Sequence, residues 1–188
     1  GDVGSGKTIV SLLATLNTIN SGFQVALMAP TEILARQHFN LAKKIFPTNI
    51  NIELISGKSE YTVKKDILKK LENNKIDVIF GTHAIFQKKV IFKKLGLIII
   101  DEQHKFGVNQ RKRLSDKGGV DCDILLMTAT PIPRTLTMTI YGDMDISIIR
   151  EKPKNRKPIK TYSKLEAKID DVLKFIKKQI KSGNQIFW

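Results

Sequence analysis

The sequence predicts an α/β fold, in which a parallel sheet carries helices on both of its faces. The first observation behind this prediction is that short apolar runs alternate along the chain with longer amphipathic stretches. The second is that several of these runs are dominated by Val, Ile and Leu, which is typical of strands covered on both faces. Apolar residues make up 41% of the chain, which is enough for the core of a globular domain.

Each element follows from its local pattern. The apolar runs predict strands at residues 24–28, 52–55, 78–80, 97–100, 124–127 and 146–149. The amphipathic stretches predict helices at residues 7–20, 32–45, 62–72, 110–116 and 133–141. Thr31 precedes the second of these helices and is a good N-cap residue, whereas His38 within that helix is expected to have no special role.

A change in composition near residue 150 predicts a domain boundary. Residues 150–158 contain two prolines and five basic residues, which is unfavourable for a helix or a core strand. We therefore expect one domain over residues 1–150, a linker over 151–158, and the start of a second domain over 159–188. In that second part, the pattern predicts a strand at 160–162, a helix at 164–181 and a strand at 185–188.

The chain is strongly basic, with 32 Lys and Arg residues, 18 Asp and Glu residues, and a formal net charge of +14. Such a charge favours a polyanionic partner, with nucleic acid first and an acidic membrane surface second. Lys-Lys pairs are spread evenly along the chain, however, which is equally typical of a general enrichment in lysine. The charge by itself therefore leaves the partner open.

Several other classes of protein are disfavoured. Cys122 is the single cysteine, which excludes an internal disulfide framework, and its neighbours Asp121 and Asp123 disfavour a thiolate. No cluster of Cys and His indicates zinc. No apolar run approaches the roughly 20 residues of a membrane span. We expect a cytoplasmic protein without a membrane partner.

The chain begins with a phosphate-binding loop of the pattern G-x-x-x-x-G-K-T. Glycines allow successive backbone N–H groups to turn toward phosphate oxygens, where a Cβ would clash. We expect Lys7 to bind the phosphates of ATP and the Thr8 hydroxyl to bind Mg²⁺. The alternative is a glycine-rich turn in front of a helix. The predicted ATP-binding residues are Gly1, Asp2, Val3, Gly4, Ser5, Gly6, Lys7 and Thr8.

Two acidic residues, Asp101 and Glu102, follow the predicted strand at residues 97–100. The carboxyl ends of parallel strands meet where open α/β sheets bind their ligands. Asp101 is expected to hold Mg²⁺ through a water molecule. Glu102 is expected to orient and polarise the attacking water, and it forms the predicted catalytic pair with Lys7. A solvated strand end is the alternative for an isolated Asp-Glu pair, but the upstream phosphate-binding loop disfavours it.

These segments, together with three others, resemble the superfamily 2 helicases over nearly the whole chain. Five segments occur in the family's order and at plausible spacing. The phosphate-binding loop is the first, and the others are Ala29-Pro30-Thr31-Glu32-Ile33-Leu34-Ala35 (similar to motif Ia), Gly81-Thr82-His83-Ala84 (motif Ib), Asp101-Glu102-Gln103-His104 (the D-E-x-H box) and Thr128-Ala129-Thr130 (motif III).

The resemblance implies a RecA-like P-loop NTPase domain and the start of a second RecA-like domain, with ATP bound between the two. It implies an ATP-dependent DNA helicase or translocase that remodels branched DNA in repair and recombination. Ser5 and the segments 106–111 and 141–145 favour the branch of the family with this substrate. Two alternatives stay open, namely a transcription-repair coupling translocase and a nucleotide-gated DNA-binding module that does not hydrolyse ATP.

The resemblance also implies roles outside the ATP site. The segments implied to contact the DNA backbone contain Pro30, Thr31, Gly81, Thr82 and His83. Without the family, Thr31 precedes a helix whose N-terminus can bind a phosphate, and a simple N-cap is its alternative role. The segments implied to couple ATP hydrolysis to DNA movement contain His104, Gln110, Arg111, Thr128 and Thr130.

In the family, a strand precedes the phosphate-binding loop, and the second RecA-like domain supplies an arginine to the ATP site. We expect both to lie outside these 188 residues. The chain alone is therefore expected to bind nucleotide weakly and to hydrolyse little ATP. The whole protein is expected to act as a monomer.

Overall fold

A computed structural model of the chain describes residues 1–57, 61–87, 89–102, 122–130, 145–151 and 159–188. The helices predicted at residues 110–116 and 133–141 lie outside these ranges. The chain divides into two compact units, Gly1–Pro153 and Lys154–Trp188.

The first unit is built on a sheet of five parallel strands. In spatial order the strands run β2-β3-β1-β4-β5, so each strand is parallel to its neighbours and the connections cross over the sheet. This arrangement confirms the predicted parallel α/β fold. The strands are β1 (Gln24–Met28), β2 (Ile52–Ile55), β3 (Val78–Gly81), β4 (Leu95–Ile100) and β5 (Asp123–Leu126).

Helices cover both faces of this sheet. They are α1 (Lys7–Asn20), α2 (Glu32–Ile45), α3 (Tyr61–Glu72) and a 3₁₀ helix at His83–Phe86. Side chains alternate along β1, because successive residues of a strand point to opposite faces. Ala26 and Met28 pack in one apolar layer with residues of α3, whereas Val25 and Leu27 pack in the other layer with residues of α1 and α2. The two layers are apolar cores that cover the two faces of the sheet.

The predicted boundaries of these elements are right to within two residues. The largest difference is at β4, which begins at Leu95 rather than at Leu97. The missed residues include Gly96, and glycine is depleted in strands. The structure shows why glycine occurs there: a Cβ at this position would lie 2.6 Å from the Cβ of Phe23. Close packing of Phe23 against the strand therefore excludes a side chain.

The strand predicted at residues 146–149 was wrong. Residues 145–150 are described and contain no strand, and Ile146 and Ile148 are exposed. Three of the four residues at 146–149 are isoleucine, which favours an extended backbone, but a strand also requires a neighbour that pairs with its backbone. No described strand pairs with this segment. β5 also differs from the expectation of a buried strand, because Ile124, Leu125 and Leu126 are half-buried and β4 is its one described neighbour.

The amino edge of the sheet is held together by the buried amide of Gln24. Its Nε2 donates to the carbonyl oxygens of Leu71 (2.9 Å) and Ile76 (2.8 Å). Its Oε1 accepts from the backbone N–H groups of Lys93 (2.8 Å) and Lys94 (3.1 Å). This side chain therefore joins the end of α3 to the segments that enter β3 and β4.

The second unit contains a 3₁₀ turn at Glu166–Lys168 and one helix, α4 (Ile169–Lys181). The helix predicted at 164–181 is right for these last 13 residues, with the 3₁₀ turn in front of them. Asp170 and Asp171 lie in the first turn of α4 and Lys178 and Lys181 in its last turn, which suits the helix dipole. The strands predicted at 160–162 and 185–188 were wrong: residues 159–188 contain no strand, since no partner strand lies within this unit's described part. Nowhere in the described ranges does a helix combine the length and the apolar content that crossing a membrane requires.

Candidate nucleotide-binding site

The glycine-rich loop ends at the N-terminus of α1. Gly4 and Gly6 have φ values of 78° and 95°, in the left-handed region that favours glycine. Gly6 is the N-cap residue of α1, and no side chain caps this helix end. The Ile9 N–H donates to the Gly6 oxygen at 3.0 Å, whereas the N–H groups at the very start of an α-helix have no preceding carbonyl in the helix to bond to. The positive end of the helix dipole lies beside them. This helix end is therefore suited to bind an anion.

Lys7 extends back across the loop. Its Nζ donates to the backbone oxygens of Gly1 and Asp2, at 2.8 Å each. The loop is closed further by a hydrogen bond from the Ser5 N–H to the Asp2 oxygen at 3.2 Å. An ammonium group has three donors, so Lys7 keeps one donor beyond these two contacts. The ammonium charge is thus positioned over the loop before any ligand is bound.

Ser5 has a buried hydroxyl that is not satisfied by the protein. Its Oγ is buried and has no hydrogen-bond partner among the described residues. Buried polar atoms without a partner are uncommon in proteins and often mark a ligand site. The same oxygen explains Gly1, because a Cβ at residue 1 would lie 2.7 Å from the Ser5 Oγ. Beyond its phosphate-binding pattern, the loop therefore has a free hydroxyl and a tightly restricted first residue.

Asp101 lies at the carboxyl end of β4 with its carboxylate fixed at both oxygens. Oδ2 accepts from His38 Nε2 at 2.8 Å, and Oδ1 accepts from the backbone N–H of Glu102 at 3.0 Å. Because an ionised carboxylate only accepts hydrogen bonds, Nε2 is the protonated nitrogen of the His38 ring in this pair. Glu102 has a φ of 50°, which is uncommon for a residue other than glycine and marks a strained backbone.

The neighbouring strands end at the same edge. Thr31 follows β1 and caps α2, because its Oγ1 accepts from the Leu34 N–H at 3.3 Å. The predicted N-cap is therefore confirmed. Thr82 caps the 3₁₀ helix without a side-chain hydrogen bond, and His83 is exposed. Gly81 is required by packing, since a Cβ there would lie 2.6 Å from the Ile55 oxygen. The partly buried Pro30 lies between β1 and Thr31.

Thr128 and Thr130 follow β5 and are joined by hydrogen bonds. Their hydroxyl oxygens are 2.9 Å apart, and the Thr130 N–H donates to the Thr128 Oγ1 at 3.2 Å. The Gly1 nitrogen donates to the Thr128 backbone oxygen at 3.4 Å. The segment after β5 therefore contacts the first residue of the phosphate-binding loop.

The structure thus brings most of the predicted site to one edge of the sheet. The phosphate-binding loop, Asp101 with Glu102, and Thr128 with Thr130 all follow strands or precede a helix at the carboxyl edge. His104, Gln110 and Arg111 lie outside the described residues. Across the ranges that are described, no three His, Cys, Asp or Glu side chains form a group that could hold a metal ion without other ligands.

His38 is the residue of this edge that sequence reasoning missed. It was expected to have no special role, but its ring is buried against Asp101. A signal was present in the spacing: His38 lies three residues after Ala35 and four before Ala42, and all three lie on the buried face of α2. A polar residue on a buried helix face requires a partner. The identity of that partner, more than 60 residues away, required the fold.

Comparison with known proteins is consistent with this site. The family model for the DEAD/DEAH box helicase matches residues 1–139. The chain belongs to this helicase family. The resemblance to superfamily 2 helicases is therefore confirmed, and with it the RecA-like fold.

Within the family, the helicase domain is similar to ATP-dependent DNA helicase RecG. The chain is 48% identical over 187 residues to RecG of Streptococcus pneumoniae. The aligned region covers all of this chain and 28% of that protein. RecG of Aquifex aeolicus is 48% identical over 189 residues and is covered to 24%. The present chain therefore spans about a quarter of the length of these relatives.

Solved structures agree with this relationship. A structure of RecG bound to a three-way DNA junction superimposes with a TM-score of 0.78 at 43% identity, over 98% of this chain and 25% of that one. A DEAD box protein from Methanococcus jannaschii gives a TM-score of 0.61 at 23% identity, over 76% of this chain and 42% of that one. The second likeness concerns the fold alone.

Proposed function

We propose that this chain is the ATP-binding part of a DNA helicase that remodels branched DNA, such as stalled forks and recombination junctions, in repair and recombination. The observation that carries the proposal is the similarity to RecG over the whole chain, including 43% identity to a RecG solved on a three-way DNA junction. Residues 1–150 form the first motor domain in this proposal, residues 151–158 the linker, and residues 159–188 the start of the second motor domain. The whole protein acts in the cytoplasm as a monomer.

The proposed ATP site uses the loop residues Gly1 to Thr8. The uncapped N-terminus of α1 and the Lys7 ammonium offer positive charge to the phosphates, and the buried Ser5 hydroxyl offers a further hydrogen bond. Glu102 orients and polarises the attacking water. Phosphoryl transfer depends mainly on such positioning and on charge stabilisation, so few side chains are needed for it.

Mg²⁺ fits the side chains that this site offers. The Thr8 hydroxyl lies in the first turn of α1 and the fixed Asp101 carboxylate lies at the end of β4, and both provide the oxygen ligands that Mg²⁺ prefers. Asp101 would hold the ion through a water molecule. A bound Mg²⁺ would neutralise charge on the phosphates. The protein's own part is to hold these two oxygen donors in place.

DNA is proposed to bind by its backbone along the same edge of the sheet. Thr31 at the N-terminus of α2, with Pro30 before it, offers a helix end to one phosphate. Gly81, Thr82 and the exposed His83 offer a second such place after β3. His104, Gln110, Arg111, Thr128 and Thr130 are proposed to couple this surface to the ATP site, and the contact of Thr128 with Gly1 supports the assignment of that residue.

Two substitutions in the full-length protein test the proposed ATP site. Lys7→Ala should lower ATP binding and reduce ATP hydrolysis to background, because the loop loses its one side-chain cation. Glu102→Gln should retain ATP binding and reduce hydrolysis by roughly 10²–10⁴-fold, the usual contribution of a positioned general base. Both are measured by phosphate release with forked DNA and by binding of a fluorescent ATP analogue.

The control is Asn40→Ala, on the exposed side of α2, which should hydrolyse ATP like the unchanged protein. A Glu102→Gln protein with unchanged hydrolysis would contradict the role of Glu102. An unchanged protein whose ATP hydrolysis does not respond to forked DNA would contradict the proposed function. DNA affinity should also fall with salt, with a log–log slope of about −0.9 for each phosphate contacted.

A further inference from the structure

His38 forms a short, shielded contact with Asp101. The His38 Nε2 lies 2.8 Å from the Asp101 Oδ2, and the two side chains are 8% and 12% exposed. In such surroundings a hydrogen bond to a carboxylate is little weakened by solvent. Among the described residues, His38 is the sole side chain that donates to this carboxylate.

The packing of α2 brings this ring to the sheet. Ala35 and Ala42 are fully buried on either side of His38, and their small side chains let the helix lie close to the strands. His38 is the one polar residue on the buried face of α2. Its position is thus set by the apolar packing of the helix, and its Nε2–H is directed at the carboxyl end of β4.

Asp101 depends on this contact for its orientation. One carboxylate oxygen is held by the Glu102 N–H at 3.0 Å, a bond between adjacent residues. The other is held by His38, from an element 63 residues away in the chain. A carboxylate held at both oxygens keeps one orientation, whereas a carboxylate held at one oxygen can rotate about its last bond. The hydrogen bond from His38 to Oδ2 therefore prevents the Asp101 carboxylate from rotating about its last side-chain bond.

α2 also carries Thr31 at its N-terminus, two turns before His38. The helix end that we propose for a DNA phosphate and the carboxylate that we propose for Mg²⁺ are therefore joined through one helix and one hydrogen bond. A shift of α2 along its axis would lengthen or realign the bond from His38 to Asp101.

We propose that His38 is a positioning residue: it holds Asp101 in the orientation that binds Mg²⁺ and links the position of α2 to the nucleotide site. The inference rests on the proposed ATP-dependent function. It differs from that proposal because His38 itself touches neither ATP nor DNA. Residues that orient a metal ligand in this way commonly alter metal affinity or activity by about 10–100-fold when they are removed.

The test compares His38→Leu with His38→Gln in the full-length protein. Both side chains are similar in volume, but only glutamine keeps an N–H donor that can reach the position of the His38 Nε2. In the first measurement, binding of a fluorescent ATP analogue is titrated with Mg²⁺ and no turnover is required. His38→Leu should need about 10-fold or more Mg²⁺ for half-maximal binding, and His38→Gln should need about as much as the unchanged protein.

The second measurement is ATP hydrolysis at saturating Mg²⁺ with and without forked DNA. His38→Leu should retain part of its basal rate but lose most of the stimulation by DNA, and His38→Gln should regain stimulation. Asn40→Ala, on the exposed face of the same helix, is the control and should match the unchanged protein in both measurements. Urea unfolding checks that each variant is folded.

Equal Mg²⁺ requirements for the leucine and glutamine variants would overturn the inference, whether or not both were lower in activity. A leucine variant that fails to fold is replaced by His38→Met, which fills the space without a donor. Failure of the proposed function is recognised separately, because the unchanged protein would then show no DNA-stimulated hydrolysis at all.

Discussion

At the amino edge of the sheet, the buried amide of Gln24 makes four hydrogen bonds to backbone groups, whereas at the carboxyl edge the buried Ser5 hydroxyl makes none within the described residues. Asp77 at the amino edge also accepts a 2.7 Å hydrogen bond from the Asn51 N–H. A left-handed backbone occurs at both edges, at Glu102 (φ 50°) and at Asn74 (φ 57°), so the contrast lies in the buried polar side chains.

The difference indicates which edge stabilises the fold and which edge binds ligands. Satisfied buried polar groups stabilise a domain, while unsatisfied buried groups lower its stability and are retained where a ligand uses them. In this domain, both kinds of group lie within the same sheet, about one strand length apart. Substitutions at the two edges should therefore affect different properties.

The largest effect on stability is expected for Gln24→Leu. This substitution leaves the Ile76 carbonyl and the backbone N–H groups of Lys93 and Lys94 without their partner, whereas the Leu71 oxygen keeps the Asn74 N–H at 3.2 Å. Each unsatisfied buried group costs about 1–3 kcal/mol. We expect the free energy of unfolding to fall by about 4 kcal/mol, since two of these three groups are partly exposed and regain water. Hydrogen exchange of the amides in β1 and β4 should accelerate by about 10³-fold.

Asn40→Leu is the matched control, because it introduces the same side chain at an exposed helix position. Its exchange rates should stay within a few-fold of those of the unchanged protein. Unchanged hydrogen exchange in β1 and β4 of the Gln24→Leu variant would contradict the stabilising role of the amino edge. Weaker ATP binding by the folded fraction of this variant would contradict the contrast between the two edges, since Gln24 is remote from the loop.

Two glycines allow a smaller and more selective comparison. Gly6 in the phosphate-binding loop and Gly22 in the turn before β1 have φ values of 95° and 84°, and neither has an atom within 4 Å of a Cβ built on it. Each substitution to alanine should lower stability by a similar amount, about 1–2 kcal/mol, because a Cβ disfavours the left-handed region. Only Gly6→Ala should also weaken binding of an ATP analogue, by about 10-fold or more, because the loop backbone must shift.

The two variants are informative together because they should lose similar amounts of stability, so that any difference in nucleotide binding reports on the loop alone. Urea unfolding measures the shared backbone effect, and nucleotide titration measures the effect on the loop. If Gly22→Ala weakened nucleotide binding as much as Gly6→Ala does, the loop conformation would have no specific role in binding.

Much of the fold was predictable because its signals are local. The strands β1 and β2 and the helices α1 and α2 have the predicted boundaries, since each combines an apolar period with a cap or a turn at its ends. The strand at residues 146–149 was mispredicted for the opposite reason. Strand propensity is local, but the ladder that makes a strand depends on a neighbour elsewhere in the chain.

The candidate site could also be predicted where its signals are local in the sequence. The glycine pattern and the Asp-Glu pair are contiguous in sequence, and their chemistry follows from their residue types. The pairing of His38 with Asp101, the strained φ of Glu102 and the free hydroxyl of Ser5 are properties of the packed structure. They follow from how closely α2 and the loop approach the sheet, which no local pattern records.

The smallest effect on the domain at neutral pH concerns Cys122, which precedes β5 at the amino edge. Burial, and to a lesser degree the charge of Asp123, raise the pKa of this thiol to about 11 from an ordinary 9.0. The prediction that the thiolate form of Cys122 is disfavoured is thus confirmed, although burial contributes more to this effect than the neighbouring Asp123 does. Because only the thiolate reacts, alkylation at Cys122 should be about 100-fold slower at pH 7.5 than at an exposed thiol, and should rise about tenfold per pH unit until near pH 11.

The rate is measured by mass spectrometry of the peptide that contains Cys122, with Asn40→Cys as the exposed reference thiol in the same protein. Asp123→Asn separates the two causes. Removing this charge should lower the pKa of the thiol only in part, since burial stays, so the variant should react faster than the unchanged protein and still more slowly than the Asn40→Cys thiol. A Cys122 thiol that reacts at neutral pH as fast as that reference would mean that the start of β5 is open to solvent. The amino edge would then be protected from solvent only between Gln24 and β4. The contrast between the two edges would apply to that part of the sheet alone.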